Sequence, residues 1–192
     1  MDLAQLNPFF GWAAYLSAAA TMATAITGVL FFTQGERFGK INDAASVVQM
    51  LFTLPVAVGL YPLIRQDGDG LALLATGIGV SGMLVAAVLQ ALLVISVVKY
   101  EQTVAAVLGA GGAIGAWLVL ANVLALAAQT LPGSLAIAGI ATGVGYVLLA
   151  IGFRIGGQEH PLSYAGALLA LVGYSIWSIW LGTLFTSSAV AP

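Results

Sequence analysis

The side chains capable of chemistry in this sequence divide into two groups that the chain keeps apart. Ionisable residues gather in short polar stretches at 33–43 (TQGERFGKIND), 65–70, 99–103 and 154–161, whereas Gln49, Gln90, Trp117 and Asn122 stand inside long apolar runs. Acids, bases and amines at membrane depth mark proton relays, ion-coupled carriers and voltage sensors. None falls inside an apolar run here. Coupled transport, retinal attachment through a lysine and haem ligation through a histidine are therefore not expected.

The polar stretches are equally poor in machinery. Asp67, Gly68, Asp69 and Gly70 begin like a calcium loop, but the further oxygen ligands and the closing bidentate Glu are missing, so a tight glycine turn is expected. Glu159 and His160 lack a third metal ligand and a nucleophile to activate. Cysteine is absent, which removes disulfides, thiolate catalysis and cysteine metal sites. Five Lys and Arg form no basic stripe, so nucleic acid is not an expected partner. The sequence is read as non-enzymatic, with no catalytic residue, metal or cofactor.

The neutral group admits two readings. Gln49, Gln90, Trp117 and Asn122 either line a polar cavity for a neutral ligand or bridge helices by hydrogen bonds worth about 0.6 kcal/mol each on average. Bridging carries more weight, because an amide in hydrocarbon must find a partner whether or not a ligand exists. The cavity reading requires all four to converge on one space open to an interface.

The elements that position these residues follow from composition. With 61% hydrophobic and 6% charged residues the chain cannot cover a soluble surface. Its apolar runs exceed the roughly 18 residues that cross a bilayer as a helix, and they lack the alternation of a barrel strand. Six spans are predicted at about 8–32, 44–64, 71–98, 104–129, 134–153 and 162–185, giving an all-α, polytopic bundle of six transmembrane helices in one domain over 1–192. Short connections make successive helices antiparallel neighbours. The first span is read as a retained membrane helix, since no positive region precedes it and it is too long for a signal-peptide core.

Finer expectations concern the ends and faces of these spans. Asn42 or Asp43 is placed to cap the second helix, and Pro55 to kink it. Phe9, Phe10, Trp12, Tyr61, Trp177 and Trp180 are expected to ring one membrane interface. Gly111 with Gly115, and Gly139 with Gly143, have the spacing that lets helix backbones approach closely. Arg37, Lys40, Lys99 and Arg154 fall in alternate turns and face Arg65 alone on the other side. The positive-inside bias then puts those turns in the cytoplasm of a bacterial membrane, against anionic lipid headgroups, and both termini outside.

The expected function is that of a scaffold or accessory subunit, packing against lipids and against other membrane proteins or a second copy. The alternative is a small transporter or channel for a neutral or lipidic solute.

Overall fold

A backbone immersed in hydrocarbon must pair its own N–H and C=O groups, and a helix does so within one segment. The computed structural model describes residues 8–187, apart from the side chains of Glu36 and Asp67. It contains α1 (Pro8–Gln34), α2 (Gly39–Ile64), α3 (Asp69–Val94), α4 (Tyr100–Ala127), α5 (Gly133–Gly156) and α6 (Pro161–Ser187), with no strand among the described residues. The helices are 24 to 28 residues long. At 1.5 Å per residue that is about 36–42 Å, enough to cross a hydrocarbon core of roughly 30 Å. The chain is a polytopic membrane protein: a compact all-α bundle of six spanning helices with short connections.

Each helix packs against its neighbours in sequence, and α6 returns to α1, so the six form a closed ring with α2 and α4 touching across its middle. Backbones approach closely where glycine permits. A Cβ on Gly115 would lie 2.7 Å from the Gly143 carbonyl oxygen, and one on Gly143 would lie 2.6 Å from that of Gly115. This is the contact expected of the small residues in α4 and α5, with one correction: Gly111 faces open space and takes no part.

Several helix ends differ from expectation. α2 starts at Gly39, so Asn42 and Asp43 are inside the helix and cap nothing. The Asn42 amide instead donates to the Thr24 carbonyl at 2.8 Å and to Thr27 Oγ1 at 3.2 Å, tying α2 to α1. A tertiary partner overrides the usual preference of Asn for a cap. Asp43, half-buried in the second turn, is further inside a helix than any other described Asp, Glu, Lys, Arg or His.

α3 and α4 stop short of their predicted ends, and each closes on a non-glycine residue with positive φ, Ser96 (58°) and Gln129 (53°). Val97 N–H donates back to the Leu92 carbonyl at 2.9 Å, and Thr130 N–H to that of Ala125 at 3.0 Å, satisfying carbonyls that the helix end would leave bare. His160 caps α6, its Nδ1 accepting from the Leu162 N–H at 3.3 Å, and Pro161 follows as the first helical residue. Further on, α6 widens into a π turn over Leu168–Val172. There it lies against α5 so closely that a Cβ on Gly145 would sit 2.6 Å from the Ala170 nitrogen.

The two classes of glycine should respond differently to substitution. Gly143→Leu is expected to destabilise the bundle by about 1–3 kcal/mol through overpacking. Gly111→Leu, pointing into open space, should be neutral or stabilising by up to about 1 kcal/mol. Reversible unfolding in mixed micelles measures both; equal losses would mean that the Gly115–Gly143 approach does not hold α4 to α5.

Candidate functional site

The most heavily polar part of the bundle interior is a node of hydroxyl, amide and aromatic side chains drawn from α1, α2, α4, α5 and α6, with the backbone of α3 packed against it. Its centre is a triangle of oxygens. Ser17 Oγ of α1 lies 2.7 Å from Thr53 Oγ1 of α2 and 2.7 Å from the Tyr174 hydroxyl of α6, and the last two are 2.8 Å apart. All three residues are essentially inaccessible. Thr53 also donates to the Gln49 carbonyl at 2.8 Å. With the Thr53 proton so engaged, only the Ser17 and Tyr174 protons remain for the three sides of the triangle. One side is therefore without a proton at any instant.

From this triangle the node extends to the other helices. The Gln49 amide donates to the Tyr146 hydroxyl of α5 at 3.1 Å, and the Tyr146 and Tyr174 rings meet edge to face with centroids 6.4 Å apart. Tyr174 also packs on Trp177, at 5.7 Å. Trp177 Nε1 donates at 3.1 Å to Asn122 Oδ1 of α4, whose own amide donates to the Leu118 carbonyl at 2.8 Å. Trp117 stands edge-on to Trp177 at 6.3 Å and presses against Gly79 of α3, which leaves no room for a side chain there. Ser178 completes the ties of α6 by donating to the Ala14 carbonyl of α1 at 2.8 Å.

Of the four proposed cavity residues, Gln49, Trp117 and Asn122 belong to this node, but they engage different helices. Gln49 joins α2 to α5, Asn122 joins α4 to α6, and Trp117 fills the space between α3 and α6. Gln90 lies near the other end of α3, with its Oε1 buried and unpartnered. Two grooves open on the outer surface, one of about 780 Å³ between α3 and α4 and one of about 470 Å³ between α4 and α5, and none of the four residues lines either. Trp177 requires a correction as well: it is fully buried, whereas Phe9, Trp12 and Trp180 of the predicted ring are exposed. Its indole N–H finds the Asn122 acceptor inside the bundle, so it has no need of the wet interface.

Of the triangle, Thr53 shares a face of its helix with Gln49 and is expected from the sequence to line a cavity or bridge helices, whereas its partners Ser17 and Tyr174 are not expected there. A usable signal was present, because Tyr146 and Tyr174 stand near the middle of apolar spans, where a phenol must find an internal partner. Chemically the node offers hydroxyls, amides and indoles, with no carboxylate, imidazole or amine to act as a base. Among the described residues no cluster of His, Cys, Asp and Glu could hold a metal ion.

The four basic residues proposed as lipid contacts are exposed, and the antiparallel chain brings them to one end of the bundle. The Arg37 guanidinium donates to Gln34 Oε1 at 2.9 Å and lies 4.8 Å from the centre of the Phe38 ring. Arg65 sits at the opposite end, 5.9 Å from the Tyr61 ring. No protein family, curated protein or solved structure matches this chain.

The proton count makes a prediction about stability. Tyr174→Phe leaves a complete donor chain from Ser17 through Thr53 to the Gln49 carbonyl, and should cost only about 0.6 kcal/mol. Thr53→Val removes the oxygen that takes part in three of the four contacts, leaving only Ser17 with Tyr174, and should cost nearer 2 kcal/mol, the upper end for bonds between membrane helices. Unfolding free energies in the same micelles give the order; a reversed order would show that Tyr174 is the dominant member.

Proposed function

We propose that the protein is a non-enzymatic scaffold or accessory subunit of a bacterial cytoplasmic membrane, packing against other membrane proteins or a second copy. The observation that carries this reading is the groove between α3 and α4. Gly70, Gly77 and Gly109 line it, and at each a Cβ would meet nothing within 4 Å. Alanine would fit each position within this chain and favour the helix by roughly 0.5–1 kcal/mol. Glycine there keeps the surface flat enough for the backbone of another helix to approach. Meanwhile Gln49 bonds to Tyr146 of α5 and Trp177 to Asn122 of α4, ties between helices that suit a structural interior.

A second reading, a small transporter or channel for a neutral or lipidic solute, draws on four buried polar atoms without partners: Thr24 Oγ1, Thr76 Oγ1, Gln90 Oε1 and Trp117 Nε1. Each such atom carries a desolvation cost that a bound neutral ligand or water would offset.

Purification from native membranes in mild detergent separates the readings. A defined assembly that Gly77→Leu disperses, with the bundle still folded, supports the scaffold. A monomer holding one small molecule at the unpartnered Thr24, Thr76, Gln90 or Trp117 atoms overturns it in favour of the transporter.

For orientation, we propose that the end carrying Arg37, Lys40, Lys99 and Arg154 is cytoplasmic and that both termini are outside, because basic residues are retained on that side. The chain has no cysteine, so single substitutions report sidedness cleanly. Ser134→Cys is expected to react with an impermeant maleimide on intact cells, and Gln158→Cys only after lysis; the opposite pattern inverts the topology.

A further inference from the structure

The second groove, between α4 and α5, has a composition that points to a particular lipid. Its walls are Leu108, Gly109 and Gly112 of α4 with Ala150 and Ile151 of α5, and Arg154 is its only charged lining residue. The bundle does not need the glycines here for its own packing. Beside Gly109 a Cβ would find open space, and on Gly112 it would make an ordinary contact with the Ala150 Cβ at 3.8 Å. The trough they leave opens on the outer surface of the bundle, and Arg154 apart its lining is apolar.

Arg154 stands exposed in the last turn of α5 and makes no ion pair among the described residues. A guanidinium emerging from hydrocarbon lays its stem along apolar surface and presents its planar fork to an anion, phosphate being the best match for paired donors. At the head of a lipid-facing trough, that phosphate is the diester of a phospholipid.

A second charge narrows the class. Glu101, exposed in the first turn of α4, is four residues before Ala105 and seven before Leu108, which both line the groove, so it continues the same helical face. Because Gly115 lies opposite Gly143, the antiparallel register sets Arg154 level with Val104. Glu101 is thus about one turn nearer water. From the trough outwards the order is apolar surface, cation, carboxylate, which complements acyl chain, phosphate, ammonium.

We infer that the α4–α5 groove binds a phospholipid with a primary ammonium headgroup, of the phosphatidylethanolamine type: one acyl chain in the trough, the phosphate on Arg154 and the ammonium at Glu101. A lipid whose headgroup has no cation would leave Glu101 facing the anion, and a quaternary ammonium has no N–H to donate to it. The two grooves share Gly109 as a wall on α4 but are otherwise lined by different residues; Gly77 lines only the α3–α4 groove, so Gly77→Leu should leave lipid retention unchanged and keeps the two proposals distinguishable.

Native mass spectrometry of the delipidated full chain tests the site, using phosphatidylethanolamine, phosphatidylcholine, phosphatidylglycerol and diacylglycerol as probes. The wild type should retain one phosphatidylethanolamine severalfold more strongly than the other three. Arg154→Gln should lower every phospholipid to the level of diacylglycerol. Glu101→Gln should erase the preference for ethanolamine while retention of phospholipid over diacylglycerol persists. Gly109→Leu should weaken all four with the thermal unfolding of the protein unchanged, since its side chain enters the trough and not the bundle. Equal retention of diacylglycerol and phosphatidylethanolamine by the wild type, phosphatidylglycerol held as well as phosphatidylethanolamine, or no effect of Gly109→Leu would each overturn the inference.

Discussion

Inside a bilayer, leucine against leucine gains almost nothing over leucine against a lipid tail, so six apolar helices have no hydrophobic reason to stay together. Every part of this structure answers to that constraint. Two forces remain available: close van der Waals approach of backbones, and hydrogen bonds between groups that would otherwise be bare in hydrocarbon. The chain applies the first where Gly115 meets Gly143 and where Ala170 backs onto Gly145. It applies the second at the Ser17, Thr53 and Tyr174 triangle.

α6 is where the two come together. Below the π turn it lies along α5, and above it Tyr174, Trp177 and Ser178 reach α1, α2 and α4. A ring of helices joined only by short connections would be held chiefly between sequence neighbours. Bonds from α6 through the centre convert it into a unit in which displacing one helix strips partners from several others. The same economy limits chemistry. A hydroxyl bonded to two neighbours and an amide bonded to a phenol are poor nucleophiles, and the node holds no base to activate them.

The outer surface follows a different rule. Glycines at 70, 77 and 109 face space that this chain does not occupy, and Arg154 presents a charge that no described carboxylate neutralises. These features have no purpose in the packing of one bundle. On the proposals made above, they are the faces on which the protein meets its surroundings, another helix on the α3–α4 side and a lipid on the α4–α5 side.

The sequence by itself determined the class and number of elements, because a run of twenty or more apolar residues has one stable form in a bilayer and polar turns show where each run ends. It also kept carboxylates, amines and the imidazole near the helix ends, with Asp43 furthest in, a turn inside α2 beside Asn42, which bonds to α1. What the tertiary structure alone decided is which neutral groups meet. The spacing of Gln49 and Asn122 places each on a face of its own helix, but the rotation of one helix against another sends the first to Tyr146 and the second to Trp177. Trp177 reads as an interfacial residue until its partner is known, and Gln129 reads as helical until the wrap of Thr130 onto Ala125 closes α4 ahead of it. Periodicity fixes a side chain's angle about its own axis. The relative rotation and depth of six helices depend on backbone contacts made across the bundle, and no single segment encodes those.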